Sequence, residues 1–316
     1  MKRLAVRFIE NIPLLLGCLL LSTLFASCGG QEEPLTLDLK SSPTLATDTP
    51  RGDGGIRFAV APVISPEKGF ASYRLFTKYL GEHLKTPVEL VQRKTYLEVN
   101  EMLRNGAVQF ALVCTGAFIV GDAEFGLDIV SVPRYLGKTE YYSLIIVGKD
   151  SPIRDITDLE GKRIALSDPL SNSGYFYPMF LIRGMGKDPN RFFSRMLFTY
   201  SHDNSMRAVL EGIADVAAVD SLIFDYEIAR DERLGSALRV IHRSPPFGIN
   251  PIVASRRTPR SLVENVRRIL LGMGRDAEGR RILELLRIED FVEPPDGMYE
   301  ATKKMILQVR AVEGSR

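Results

Sequence analysis

The chain has 316 residues, a formal net charge of +2 and three cysteines. Its 41 Lys and Arg are nearly balanced by 39 Asp and Glu, which gives no support to a nucleic-acid partner. Three histidines and three cysteines, without pairs at ligand spacing, exclude a zinc constellation, and no phosphate-loop or dinucleotide fingerprint calls for a cofactor.

In chain order, Lys2, Arg3 and Arg7 precede an apolar run from Ile12 to Phe25 that ends in Ala26-Ser27-Cys28-Gly29-Gly30. A basic start, a short apolar stretch and small residues make an export signal, too short for a comfortable membrane span. Cys28 after Ala26-Ser27 resembles a bacterial lipobox, so residues 1–27 read as a lipoprotein signal peptide and Cys28 as the lipid-bearing residue. Cleavage there removes three of the basic and one of the acidic residues, leaving 38 of each. Cys18 leaves with the leader, Cys114 is then alone, and no intramolecular disulfide is available. Stability must come from a core of roughly 260 residues, which is enough for one. Residues 28–55 are rich in Gly, Pro, Ser, Thr and Asp and read as a flexible tether with a reach of roughly 30 Å.

Alternation of Ile56, Phe58 and Val60 predicts a strand, and Pro62 to Pro66 a loop. Tyr73, Phe76, Leu80 and Leu84 recur at helical spacing, followed by a strand at Val88–Val91, a helix at Thr95–Arg104 stopped by Asn105-Gly106, and a strand at Phe110–Val113. This order predicts an α/β layer sandwich with a largely parallel sheet. The pattern restarts with strands at Leu144–Val147, Arg163–Leu166, Met196–Tyr200, Val216–Val219 and Leu238–His242. A short turn at Ile156–Gly161 and helices at Tyr175–Met185, Met206–Gly212 and Leu222–Ala229 lie between them. One more strand, Ile252–Ala254, and a mainly helical stretch from 258 to 312 complete the chain. The expected organisation is two lobes, 56–146 with 247–316 and an inserted 147–246, joined by a hinge of two crossings. The cleft between them is the favoured ligand site.

The most informative segment is Asp168-Pro169-Leu170-Ser171-Asn172-Ser173-Gly174, which follows a predicted strand and opens a predicted helix. Free N–H groups and the positive end of the peptide dipole converge at such a start, and hydroxyl and amide side chains can complete an anion cradle. Simple helix capping by Ser171 or Ser173 is the plainer reading. Ser201-His202-Asp203-Asn204 follows, where His202 is either a ligand group or a loop residue beside an Asp203 cap. Asp220 is either an acceptor for an acidic proton or a cap before Leu222. Of Tyr141 and Tyr142, neighbours on opposite strand faces, at most one faces the cleft.

From Ile56 to about Val312 the chain resembles the phosphonate-, phosphite- and phosphate-binding components of ABC transporters. The similarity rests on Tyr96, Glu140-Tyr141-Tyr142-Ser143, Asp150-Ser151-Pro152-Ile153, Asp158-Leu159-Glu160-Gly161-Lys162-Arg163, Asp168 to Gly174 with Pro178, Ser201 to Asn204, and Gly212 to Asp220. The resemblance implies a type II periplasmic-binding-protein fold, α/β, with two hinged lobes. It implies a small oxyanion held by Ser171, Asn172, Ser173, His202, Tyr96 and Tyr141. From the residues themselves, Thr115 or its backbone at the cleft end of a strand and Asp220 are further candidates. Asn172 stands where the family has a threonine, and still offers a donor and an acceptor. The positions expected to be acidic for an aminoalkyl ligand are Leu222 and Asn250; neither is acidic, although Asp220 lies close to the first and a shift of register would supply it. An unpaired ammonium in a closed cleft is costly, so phosphate, phosphite or a simple alkylphosphonate is the expected ligand.

The expected partners are ABC permease subunits and, through the lipid, a bacterial membrane at its periplasmic or outer face, with the protein a monomer. A lipoprotein that senses the ligand for a signalling receptor is the alternative, since fold does not decide fate. A serine hydrolase is a weaker one, because the Gly-x-Ser-x-Gly elbow is missing and His202 adjoins Asp203 in sequence.

Overall fold

The computed structural model describes residues 55–314; the predicted leader, Cys28 and the tether up to residue 54 lie outside them. The first elements are β1 (Ile56–Val60), α1 (Pro66–Leu84), β2 (Val88–Gln92), α2 (Tyr96–Asn105), β3 (Phe110–Leu112), α3 (Thr115–Phe125) and β4 (Leu127–Arg134). A short β5 (Glu140–Tyr141) leads into β6 (Ser143–Gly148), β7 (Arg163–Leu166), α4 (Tyr177–Gly184), α5 (Pro189–Phe192), β8 (Arg195–Phe198) and α6 (His202–Leu210). Then come β9 (Val216–Asp220), α7 (Ser221–Ile228), α8 (Glu232–Ala237) and β10 (Leu238–Arg243). A short β11 (Phe247–Gly248) returns the chain to β12 (Ile252–Ser255), α9 (Arg260–Gly272), α10 (Ala277–Leu286), β13 (Asp290–Val292) and α11 (Glu300–Gly314).

Two sheets result, one of six strands in the order β13-β4-β12-β3-β1-β2 and one of five in the order β10-β6-β9-β7-β8. The alternation read from sequence holds at β1. Ile56, Phe58 and Val60 pack with Phe76, Leu80 and Val266 on one face, while Ala59 joins Val99 and Leu103 on the other. Both sheets are mixed rather than largely parallel. Only β2, β1 and β3 run parallel as adjacent neighbours in the first, and β8, β7 and β9 in the second. β12 is antiparallel to β3, and β6 to β9. The reason is the route of the chain. β3 ends where Thr115 meets Asn250, and β12 starts from that same end after returning from the other lobe, so it must run the opposite way.

The two crossings pair with each other as a ribbon, Tyr141 opposite Phe247 and Glu140 opposite Gly248. All of β6 therefore belongs to the second sheet, and the first crossing lies at Glu140–Tyr141 instead of the 146/147 boundary expected. α3 was not foreseen. Thr115 to Gly121 are all buried, and its apolar residues surround the axis, which leaves no helical stripe to read. β4 and the short edge strand β13 were also not foreseen; β13 pairs with β4 inside the stretch expected to be helical.

Tyr96 is held at the first position of α2 by a reciprocal cap. Glu98 N–H donates to Thr95 Oγ1 at 3.2 Å, and Thr95 N–H donates to Glu98 Oε2 at 2.8 Å. Thr95→Ala is expected to lower unfolding free energy by about 1 kcal/mol. Urea unfolding checks this, and an unchanged midpoint would show that packing of Tyr96 alone fixes the helix start.

Candidate functional site

The residues singled out by sequence converge where the two lobes meet. Tyr96, Thr115, Tyr141, Ser171, Asn172, Ser173 and His202 are fully buried, and Asp220 is 1% exposed. The helix expected from Tyr175 in fact opens earlier, as a single wide turn at Asn172–Phe176 ahead of α4. Tyr175 and Phe176 N–H both donate to the carbonyl of Ser171, at 3.1 and 2.9 Å. Ser171 also caps this turn, its Oγ accepting from Gly174 N–H at 3.0 Å. Capping therefore accounts for Ser171 but not for Ser173, whose buried Oγ has no hydrogen-bond partner among the described residues. The Ser173 carbonyl is engaged, accepting from Ser143 Oγ at 2.7 Å.

The first lobe contributes the two tyrosines. Tyr96 N–H donates to Asp168 Oδ2 at 3.0 Å, which ties the start of α2 to the cradle loop of the other lobe. Its hydroxyl is buried without a partner among the described residues. Burial first, then the nearby Cys114, Asp168, Asp220 and Tyr141, pushes this phenol well above its usual pKa, so it stays a donor. Tyr141 Oη accepts from Asn172 Nδ2 at 2.9 Å, which leaves Asn172 Oδ1 buried and unpartnered. Tyr142 points elsewhere, under the Arg243 guanidinium 3.6 Å from its ring centre.

His202 is the first residue of α6, and Ser201 is the cap, with Asn204 N–H donating to its Oγ at 3.4 Å. Asp203 does not cap the helix. It reaches across the lobes, accepting from Ser65 N–H at 3.0 Å and Ser65 Oγ at 2.8 Å, with Lys68 Nζ 3.2 Å away. His202 N–H also crosses, donating to Val63 O at 3.1 Å.

The imidazole of His202 accepts the backbone N–H of Asp220 at Nδ1, at 3.0 Å. Nδ1 is therefore unprotonated, and the neutral ring carries its proton on Nε2, which faces Ser171 Oγ at 3.5 Å. Burial lowers the ring pKa to about 3, so it stays neutral. A Ser–His–Asp relay needs the reverse arrangement, with a carboxylate at Nδ1 and a free Nε2 to take the serine proton. This site is built to donate.

Asp220 caps α7, its Oδ1 accepting from Leu222 N–H at 2.8 Å, and burial raises its pKa to about 7. Thr115 is used differently from expectation. Its hydroxyl donates to Gly248 O at 2.7 Å and its N–H to Asn250 Oδ1 at 2.9 Å, so it braces the second crossing and has no proton left for a ligand. Cys114 is fully buried, and burial pushes its thiol up to about 11, which suits packing and not reactivity.

Sequence reasoning missed the residues that set how closely the cradle packs. A Cβ on Gly116 would lie 2.3 Å from Leu170 O and 2.8 Å from Asn172 N, so only glycine lets α3 approach the cradle. A Cβ on Gly174 would lie 2.0 Å from Ser167 Oγ. Ser65, Val63 and Ser143 carry no local signal, because their role depends on partners more than 100, more than 100 and 30 residues away. Among the described residues no group of three His, Cys, Asp or Glu could hold a metal ion, and no helix is long and apolar enough to cross a membrane.

Two α/β lobes, two crossings and a buried polar cradle between them define a type II periplasmic binding protein fold. The chain matches the family described as "ABC transporter, phosphonate, periplasmic substrate-binding protein" over residues 58–299, and it belongs to that family. It is 29% identical over 155 residues to the phosphonates-binding periplasmic protein of Escherichia coli (strain K12), a match covering 48% of this chain and 45% of that protein, under half the relative's length. It is 24% identical over 234 residues to the phosphate-import protein PhnD of Mycolicibacterium smegmatis, covering 70% of this chain and 69% of that one. Among solved structures, a binding protein component of an ABC phosphonate transporter from Pseudomonas aeruginosa gives a TM-score of 0.76 at 22% identity, over 82% of this chain and 87% of that one. PhnD1 from Prochlorococcus marinus, in complex with methylphosphonate, gives 0.72 at 16% identity, over 81% and 98%. At these identities the structures speak to the fold.

The paired shifts at His202 and Asp220 have opposite pH signatures. Asp220 keeps a proton in the fold that the unfolded chain has lost between about 4 and 7, so alone it loses stability as pH rises through that window. His202 stays neutral in the fold while the unfolded chain takes up a proton below 6.5, so alone it loses stability as pH falls. The slopes cancel where they overlap. Asp220→Asn, which preserves the cap, should expose the histidine slope: relative to wild type, its unfolding free energy drops by about 2 kcal/mol from pH 7 to pH 5. Parallel stability curves for the two proteins would contradict the assignment.

Proposed function

We propose that this chain is the extracytoplasmic substrate-binding component of an ABC importer, and that it captures a small phosphorus oxyanion between its lobes by hinge closure. The observation that carries this reading is a set of buried donors where the lobes meet: Tyr96 Oη and Ser173 Oγ have no partner among the described residues, and His202 Nε2–H has only a long contact, 3.5 Å, to Ser171 Oγ. A buried polar group without a partner costs about 1–3 kcal/mol, and an anion accepting several of them relieves that cost. The amides of the turn at Asn172–Phe176 add positive potential from the second lobe. Tyr96 and Tyr141 complete the shell from the first lobe and the crossing, so the anion touches both sides and favours the closed form. Asp220, with its pKa raised to about 7, accepts the proton of a P–OH group.

Asn172 occupies the central position of the cradle with its amide turned to Tyr141, so it orients that phenol. Leu222 and Asn250 supply no carboxylate for a ligand ammonium, and Asn250 Oδ1 is already bonded to Thr115. Phosphate, phosphite or an alkylphosphonate fits best. The relatives named for phosphate import and phosphonate binding support transport over sensing. In this reading the exported protein is a monomer held at the membrane by lipid on Cys28, and its closed form docks on permease subunits.

Calorimetry with phosphate, phosphite and methylphosphonate tests the site. His202→Ala and Ser173→Ala should each weaken binding by about 1–3 kcal/mol, the worth of a hydrogen bond to a charged group. Unchanged affinity in both variants would remove the cradle from the binding site, and absence of binding by the wild type would remove the oxyanion.

A further inference from the structure

Between the lobes lies a cavity of about 160 Å³ whose lining includes Asp220, the residue whose N–H holds the His202 ring, and Asn250, the partner of Thr115. Its walls come from both lobes: Val63 and Leu112, Ile249 at the crossing and Leu286 on one side, Leu222 and Ile223 on the other. Its two basic groups, Lys68 and Arg287, are already engaged. Lys68 Nζ lies between Asp203 and Glu227, at 3.2 and 2.5 Å, and the Arg287 guanidinium sits 4.9 Å over the ring of Tyr226. The Asp220 carboxylate accepts from Leu222 N–H and faces the Asn250 side chain, and Asn250 Oδ1 is taken by Thr115. What the chamber offers a guest is mainly apolar surface, with Ser72, Tyr73, Tyr135 and Tyr226 as the further polar residues in its lining.

We infer that this chamber receives the organic substituent of the ligand, and that the substituent is an apolar chain or ring of about three to six carbons. The inference rests on the oxyanion reading above and sharpens it. An apolar cavity of about 150 Å³ is large enough for a benzene ring, so the space here suits a butyl chain or a phenyl group. A bare phosphate or phosphite leaves it unfilled. An aminoalkyl chain would bring an ammonium against Leu222 and Ile223, where Asp220 is the one carboxylate among the lining residues, and its Oδ1 is held by Leu222 N–H while the proposed function gives it the P–OH proton.

The test is calorimetry on the wild-type protein with phosphate and with methyl-, ethyl-, propyl-, butyl-, phenyl- and 2-aminoethylphosphonate. Affinity should rise about fourfold for each methylene buried, up to butyl. 2-Aminoethylphosphonate, the same length as propylphosphonate, should bind at least tenfold more weakly than it. Leu222→Glu should reverse that last order, and if this variant does not fold, the wild-type series still decides. Methylphosphonate binding as tightly as butylphosphonate, or 2-aminoethylphosphonate more tightly than propylphosphonate, overturns the chamber's role and leaves the oxyanion site standing. No binding of any member overturns both.

Discussion

A single backbone hydrogen bond sets the chemistry of this cleft: Asp220 N–H donates to Nδ1 of His202. Because a main-chain amide cannot reverse its role, the ring is fixed as acceptor on that side and donor at Nε2. Burial keeps the ring neutral, so the proton at Nε2 is permanent over the ordinary pH range. The same β9–α7 junction that supplies the amide also carries the Asp220 carboxylate, directed into the cap of α7. One short segment thus provides a fixed donor and, a few atoms away, a carboxyl group that titrates near neutrality. The proposed recognition of a partly protonated oxyanion uses both.

The contacts between the lobes are spread over several residues. Asp203 is held by Ser65 and Lys68, His202 N–H by Val63, Asp168 by Tyr96 N–H, and Gly116 lets α3 touch the cradle loop. Burial raises the pKa of Asp203, yet hydrogen bonds from Ser201 and Ser65 and the charge of Lys68 outweigh that and hold it below the usual carboxylate range. It therefore stays ionised as a latch. The polar members of this set are of the kind that water can replace. The apolar packing does not divide so simply: two buried clusters each belong to one sheet, while a third runs through both lobes, from Val99 and Phe118 to Ile145 and Phe176.

Much of this was legible in the sequence, for identifiable reasons. Strands such as Ile56–Val60 and Leu144–Val147 declare themselves by alternation or by a continuous apolar run. The cradle declared itself because Ser171, Asn172 and Ser173 stand together between a strand and a helix, and geometry now separates their roles into cap, orienting amide and unpartnered hydroxyl. The reading failed where a signal is not local. α3 is apolar on all sides and shows no stripe; β13 is three residues long; the sense of β12 and β6 follows from the crossings and not from their own residues. Thr115 was expected to touch a ligand and instead braces Gly248, since the bond that claims its hydroxyl spans 133 residues. Asp203 was weighed as a cap and serves a partner 138 residues away for the same reason.

The most direct measurement is the nitrogen-15 spectrum of the His202 ring, with and without methylphosphonate, from pH 5 to pH 7. The account predicts a neutral ring protonated at Nε2 throughout, with the Nε2 proton moving downfield when the oxyanion accepts it. A ring protonated on Nδ1, one that titrates within this range, or an Nε2 signal indifferent to saturating methylphosphonate would contradict it.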